Sequence, residues 1–181
     1  MIPRVFMSAT LLLMLVFVSA GAASVPAPDG HAAEEEVPIE AIISLYRVAD
    51  IYSGSSSSYP EHLAVYSGAL YFRADGGDGA GRELWKYTPA GGAQLVDDIN
   101  PGSGSSDPRY TAVYNGALYF QADGGDGAGR ELWKYTPAGG AQRVADISPG
   151  TGSSYPAYLA VYNGALYFQA DGNDGAGTEL W

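Results

Sequence analysis

Acidic residues on a glycine-rich loop are the first candidates for chemistry in this chain. The loop occurs three times, with carboxylates at Asp75, Asp78 and Glu83, at Asp123, Asp126 and Glu131, and at Asp171, Asp174 and Glu179. Carboxylate oxygens on a flexible backbone are ligands that Ca²⁺ accepts, so each loop is a candidate calcium site. The spacing matches neither an EF-hand nor a nine-residue Gly/Asp β-roll. Turn formation by Asp and Gly explains the same residue types without a metal, and both interpretations stay open.

Aromatic residues are the second set of candidates. Those proposed to contact a ligand are Trp85, Tyr87, Trp133, Tyr135 and Trp181. Aromatic faces can stack on sugar rings, and we expect Trp85 and Tyr87, which share a more polar strand, to be exposed. The alternative is that these side chains fill the space between sheets.

Catalytic groups are scarce. The chain has no cysteine, and its two histidines are His31 and His62. His62 is replaced by Tyr110 and Tyr158 in the corresponding positions, so it is not part of a repeated site. Thiol catalysis is excluded and a catalytic zinc site is disfavoured. We therefore predict no catalytic residues and no enzymatic activity.

These candidates are positioned by a repeat of 48 residues. Glu-Leu-Trp ends at Trp85, Trp133 and Trp181, and the repeats span 50–97, 98–145 and an incomplete 146–181. The first two copies are identical at 37 of 48 positions, which argues against a unique catalytic constellation in either. A period of this length is typical of one supersecondary unit stacked on its neighbours.

Each repeat reads as four short strands. In the first repeat we predict strands over 63–66, 69–75, 82–88 and 93–99, with a two-residue turn at Ser67-Gly68. Such a turn joins antiparallel strands, which disfavours a parallel β-solenoid. The predicted fold is all-β, with β-propeller-like repeats of four antiparallel strands and about three blades.

The ends of the repeat region add two expectations. Residues 46–51 align with the fourth strand, which brings the expected number of strands to twelve and allows a partial or oligomer-completed propeller. The serine-rich segments 53–58, 103–106 and 151–154 are expected to be flexible connections between blades.

The N-terminal region predicts export. Residues 1–23 have the charge, apolar run and small-residue end of a signal peptide, and 24–40 read as a disordered acidic, proline-containing linker before the repeat domain 41–181. We expect a secreted, periplasmic or cell-surface protein without a membrane span. A net charge of −11 argues against nucleic acid and anionic lipid as partners.

Several motifs together resemble those of the bacterial ELWxxDGT repeat proteins. They are Gly-Arg-Glu-Leu-Trp at 81–85 and 129–133, Gly-Thr-Glu-Leu-Trp at 177–181, Asp-Ile-Asn-Pro-Gly-Ser-Gly-Ser-Ser-Asp-Pro at 98–108 and Asn-Gly-Ala-Leu-Tyr-Phe at 115–120. The chain departs from the pattern at Thr88-Pro89-Ala90, where the family has Asp-Gly-Thr. The resemblance implies an exported, propeller-like protein without an established catalytic activity, and it supplies no active-site residues.

Three functional hypotheses follow. The first is a non-enzymatic repeat module for binding or surface interaction, with a glycan or surface protein as partner and self-association to complete a propeller. The second is a lectin-like or carbohydrate-active domain. The third is a truncated repeat array without independent function.

Overall fold

A computed structural model describes residues 45–181 of the chain. These residues form one compact unit. The all-β prediction is confirmed, because this part of the chain consists of eleven strands in three antiparallel sheets and has no helix. The predicted signal peptide (1–23), linker (24–40) and start of the repeat domain at residue 41 lie outside the described residues.

The three sheets repeat one meander. Sheet 1 contains β1 (Glu61–Tyr66), β2 (Ala69–Asp75), β3 (Arg82–Thr88) and β4 (Gly92–Asp97); sheet 2 contains β5 (Arg109–Tyr114), β6 (Ala117–Asp123), β7 (Arg130–Thr136) and β8 (Gly140–Ala145); sheet 3 contains β9 (Ala157–Tyr162), β10 (Ala165–Asp171) and β11 (Thr178–Leu180). Within each sheet the strands pair in chain order. The four predicted strands of the first repeat are confirmed, although the first begins at Glu61 and the fourth ends at Asp97.

The predicted hairpin turn is confirmed by its backbone angles. Ser67 and Gly68 have φ values of 47° and 76°, and Asn115 and Gly116 have φ values of 43° and 72°. Two successive positive φ values are what a type I′ turn requires, and its twist matches that of antiparallel strands.

A β-bulge interrupts the first strand of each sheet. The β1–β2 register shifts between Glu61 and Ala64, and the equivalent shift recurs between Arg109 and Ala112. The bulge residue His62 has a φ of 56°. Bulges change the direction of side chains locally.

The sheets stack through their first strands. β5 packs against both β1 and β9, whereas the outer strands β4 and β8 barely meet, so neighbouring sheets spread apart toward their outer edges. The interior between sheets 1 and 2 contains Tyr71, Leu84, Leu118 and Phe120. β2 is covered on both faces, because it is buried from Tyr71 through Ala74.

The expectation of twelve strands is wrong for the described residues. Residues 46–51 form no strand, and the third sheet has three strands. The physical reason is the missing partner: the fourth strand of a sheet pairs with the third, and no third strand precedes residue 46 in the described part. No strand pairing joins sheet 1 to sheet 3 among residues 45–181.

Residues 45–181 contain no helix with the length and apolar character needed to cross a bilayer.

Candidate functional site

The acidic loops form turns. Asp75 Oδ1 accepts a hydrogen bond of 2.9 Å from Gly77 N, and Asp78 Oδ1 accepts one of 3.1 Å from Ala80 N. Asp123, Asp126, Asp171 and Asp174 make the equivalent bonds in the other two repeats. Within residues 45–181 no group of three or more acidic, histidine or cysteine side chains is arranged to hold a metal. The three carboxylates of each loop are therefore not brought together, and calcium binding stays a prediction.

The tryptophans pack beneath these loops. Trp85 is only 8% exposed and Tyr135 is buried, so the expectation that Trp85 is exposed is wrong. The cause is the glycine at the start of the loop: a Cβ on Gly76 would collide with the Trp85 ring, as one on Gly124 would lie 2.6 Å from Trp133 Cζ2, so only glycine lets the ring close over the backbone. Trp181, at the last sheet, is 45% exposed and donates a hydrogen bond of 2.9 Å to Ala170 O.

In the first two repeats, the third carboxylate of the loop joins one repeat to the next. Glu83 is fully buried and accepts hydrogen bonds from Ile99 N (3.0 Å), Ser106 N (2.8 Å) and Ser106 Oγ. Glu131 accepts the three equivalent bonds from the next connection. The donors are Ile147 N at 2.9 Å, Ser154 N at 3.0 Å and Ser154 Oγ at 2.6 Å. We call this arrangement the glutamate latch.

The latch overturns one expectation about the connections. Ser106 and Ser154 are fully buried and bonded, so these serine-rich segments are not flexible throughout. Burial raises the pKa of the Glu83 carboxyl to about 7, and the hydrogen bonds from Ser106 and Ile99 oppose that rise. The presence of the glutamate and the serine in every repeat was a sequence signal for this contact.

A second feature emerges where the repeats differ. Six aligned positions change formal charge between copies. Four of them are occupied in the first repeat by Tyr59, Glu61, Arg73 and Arg82. The other two are Leu95, which corresponds to Arg143 in the second repeat, and Asp97, which corresponds to Ala145. The structure gathers these four positions and their equivalents where neighbouring sheets meet. We call them the junction cluster, which comprises Tyr59, Glu61, Arg73, Arg82, Asp107, Arg109, Gln121, Arg130, Tyr155, Ala157, Gln169 and Thr178.

Ion pairs organise the cluster between sheets 1 and 2. Arg73 is 5% exposed and contacts both Glu61 and Asp107, the latter at 3.0 Å. Asp107 also accepts hydrogen bonds from Arg130 at 3.2 Å and Arg109 at 3.4 Å. One carboxylate thus meets three guanidinium groups, which leaves the network with an excess of positive charge.

That positive charge is unusual for this chain. Arg73, Arg82, Arg109 and Arg130 are four of the eight arginines and lysines between residues 45 and 181, although the whole chain has a net charge of −11. Concentrating cations at one place creates a local field that attracts an anion.

Backbone strain coincides with the same place. Tyr59, Asp107 and Tyr155 have φ values of 48°, 50° and 49°, and Tyr110 has 55°. A positive φ is costly for a large side chain such as tyrosine. Strained positions of this kind concentrate at binding sites, because the surrounding structure holds a side chain in a fixed direction there.

Aromatic rings continue along the first strands from the cluster. The ring of Tyr110 lies 5.8 Å from that of His62 and 5.7 Å from that of Tyr158. Burial, followed by the charge of Arg73, lowers the pKa of His62 below its ordinary value. This shift favours the neutral ring of His62, which extends the aromatic row.

The second junction opens into a cleft. At sheets 2 and 3, the equivalents of Arg73 and Asp107 are Gln121 and Tyr155, and Ala157 replaces Arg109. These replacements leave a cavity of about 280 Å³. Its lining consists of Arg109, Tyr110, Gln121, Arg130, Tyr155, Ala157 and Gln169. We call it the arginine cleft.

Hydrogen-bonding capacity remains in the arginine cleft. Arg109 and Arg130 each reach Asp107 through one terminal nitrogen, although a guanidinium has five N–H donors. The Arg109 Nε is buried and has no partner. Gln121 donates to Pro156 O at 3.0 Å through its amide nitrogen, which leaves its amide oxygen as an acceptor. The cleft can therefore bind a group that carries both negative charge and hydroxyls.

Sequence reasoning missed this site because it treated near-identity of the repeats as evidence against specialisation. The useful signal was the small set of charge differences, which becomes meaningful once the fold brings them together.

Comparison with known proteins gives no further assignment. A scan against protein-family models, a search of curated proteins and a search of solved structures each found no match.

Proposed function

We propose that this chain is an exported, non-enzymatic binding module with propeller-type stacking, and that its ligand occupies the arginine cleft. The observation that carries the proposal is the convergence of charge-changing positions at one cleft while the rest of the repeat stays nearly constant. The resemblance to ELWxxDGT repeat proteins and the predicted signal peptide support a periplasmic or cell-surface location.

The propeller interpretation draws on how the sheets pack. Four-stranded antiparallel meanders that meet through their first strands and spread outward have the arrangement of propeller blades. Completion of the propeller by a second copy of the chain would protect the exposed edges of the first and third sheets.

The ligand we propose is an acidic sugar residue, in line with a lectin-like role. Arg109 and Arg130 supply charge-assisted donors for a carboxylate, and Gln121 supplies an acceptor for a hydroxyl. The rings of Tyr110 and Tyr155 supply apolar surface beside them. A cavity of about 280 Å³ lies near the lower end of ligand-pocket sizes, which favours one small sugar over a larger molecule.

A binding role fits the carboxylates better than catalysis does. Glu61 and Asp107 are both held in ion pairs with arginines, so neither carboxylate is free to act on a ligand. The arrangement therefore holds a ligand without supplying acid–base chemistry.

The test is a titration of the purified chain with glucuronate by calorimetry. Glucose and acetate serve as matched probes, because each carries half of the proposed chemistry. We expect glucuronate to bind at least about tenfold more tightly than either. Equal affinity for glucuronate and glucose, or no binding of glucuronate, would overturn the proposed ligand.

The repeats themselves provide matched variants for this titration. Arg130→Thr and Arg109→Ala introduce the residues that the third repeat has at 178 and 157. Each should weaken glucuronate binding by about tenfold or more. Arg82→Thr makes the same change at the first junction and should leave the affinity within about twofold. An equal loss in Arg82→Thr and Arg130→Thr would place the binding site elsewhere.

A further inference from the structure

Exposed apolar side chains mark the two ends of the stack. Among the large exposed apolar residues of 45–181, only Val113 and Val144 belong to the middle sheet. Leu84 in sheet 1 is fully buried, whereas its equivalent Leu180 in sheet 3 is 76% exposed. At the other end, Leu45 is 90% exposed. The ends therefore lack the cover that the internal junctions provide.

A tyrosine bond recurs at both internal junctions. Tyr66 Oη donates to Gly116 O at 2.6 Å, and Tyr114 Oη donates to Gly164 O at 2.9 Å. The next donor in the series is Tyr162, which is 73% exposed at the last end. The corresponding acceptor in the first repeat is the carbonyl of Gly68, in the β1–β2 turn.

The glutamate latch gives the same pairing of ends. Its glutamates at 83 and 131 bind the connection that follows, and the next in the series is Glu179, which is exposed. The donors that correspond to Ser106 and Ile99 are Ser58 and Ile51. One end thus has the carboxylate without its donors, and the other has the donors without the carboxylate.

The first end is already arranged to receive a third strand. Ile51 packs against the buried cluster of sheet 1 that contains Phe72, and Ile99 belongs to the core cluster that contains Phe120 of sheet 2. Residues 46–49 line a cavity together with Leu70, Phe72 and Tyr87 of sheet 1. Residues 46–51 therefore occupy the place, relative to sheet 1, that 94–99 occupy relative to sheet 2. Within residues 45–181, no strand equivalent to β3 pairs with them.

We propose that the last end binds the first end of a second copy of this chain. β11 lies beside residues 46–51 of that copy, as β3 lies beside β4, and the register of Leu84 with Asp97 becomes Leu180 with Ala49. Glu179 accepts from Ser58 and Ile51, and Tyr162 donates to Gly68 O. The contact continues the interface that already joins the sheets within one chain.

This association is head to tail because the two faces differ. Such an interface closes into a ring or extends as a filament, depending on the rotation between copies. Two copies would place six sheets in a ring, within the usual range of 4 to 8 blades. The inference does not depend on the identity of the ligand in the arginine cleft.

Cysteine cross-linking tests the register directly, since the chain has no cysteine of its own. Ala49→Cys and Leu180→Cys place thiols at facing positions of an antiparallel pair, a separation that a disulfide spans. A mixture of the two variants should form linked dimers under mild oxidation, and each variant alone should not. Ala49→Cys mixed with Val144→Cys, an exposed position of the middle sheet, is the control and should stay unlinked.

Light scattering on the cysteine-free chain provides the second arm. The mass should exceed that of one chain, and Glu179→Ala and Tyr162→Phe should lower it at equal concentration. A chain that stays monomeric at every concentration, or Leu180→Cys alone linking as well as the mixture, would overturn the proposal. Glucuronate titration of Glu179→Ala separates this failure from that of the proposed function, because Glu179 lies outside the arginine cleft.

Discussion

Arg130 and Glu131 are adjacent on β7, yet they belong to regions with different properties. Glu131 is fully buried, and its contacts reproduce those of Glu83 one repeat earlier. Arg130 lies in the arginine cleft, and its equivalent in the third repeat is a threonine. The alternation of side chains along a strand separates the two, because neighbours point to opposite faces.

The comparison teaches how a repeat can vary without losing its packing. The glutamate latch satisfies backbone donors inside the stack, where a lost acceptor is costly. The junction cluster surrounds a cleft that solvent reaches, where a changed side chain is tolerated. Constant residues therefore hold the sheets together, while the differing residues define the proposed ligand site.

The largest effect should come from breaking the glutamate latch. Glu131→Ala leaves Ile147 N, Ser154 N and Ser154 Oγ without their acceptor, and we expect a loss of about 4 kcal/mol in the free energy of unfolding. Urea unfolding followed by circular dichroism, at a concentration where the chain is monomeric, measures it. Glu179→Ala is the matched control and should unfold like the wild type, because Glu179 is exposed. Equal stabilities of the two variants would show that the latch does not hold the sheets.

The second effect is a pH dependence at Glu83. Its pKa is raised from 4.5 to about 7 by burial, so between these values the folded chain binds the proton that the unfolded chain has released. This contribution to stability is complete below about pH 4.5 and is lost as the pH rises through 7. The loss amounts to at most about 3 kcal/mol.

Glu83→Gln sharpens this test because glutamine resembles the protonated carboxyl and cannot titrate. We expect its unfolding free energy to change less between pH 4.5 and 8 than that of the wild type. The same pH slope in both proteins would assign the dependence to other groups.

Much of the fold follows from local sequence signals. The turn residues Ser67-Gly68 and the apolar residues on both faces of β2 predict the hairpin and the burial of both faces without knowledge of the neighbouring sheet. The burial of Trp85 was not predictable in this way, because it depends on the loop folding back so that a glycine lies under the ring. The prediction of a strand at residues 46–51 was wrong for a similar reason. A strand needs a hydrogen-bonded neighbouring strand, and the sequence pattern of 46–51 alone does not show whether one is present.

The candidate site was less accessible to sequence reasoning. Arg73, Asp107 and Arg130 are widely separated in the chain, and only the bulged first strands and the stacking of sheets bring them together. The side chains that sequence reasoning chose, such as Trp133 and Glu131, are instead packed within the repeat or bonded to the next connection. The sequence signal for the site was the set of charge differences between aligned positions of the three repeats.

The smallest expected effect on stability is that of Arg130→Thr. It provides the most direct test of the claim that the glutamate latch holds the fold while the junction cluster binds the ligand. The measurement is the free energy of unfolding of Arg130→Thr beside that of Glu131→Ala, with glucuronate titration of the folded Arg130→Thr chain. We predict that Arg130→Thr unfolds within about 1 kcal/mol of the wild type, because its ion pair is partly exposed, and that it loses glucuronate binding. If Arg130→Thr is as destabilised as Glu131→Ala and binds glucuronate normally, the differing residues serve the fold, which contradicts the account.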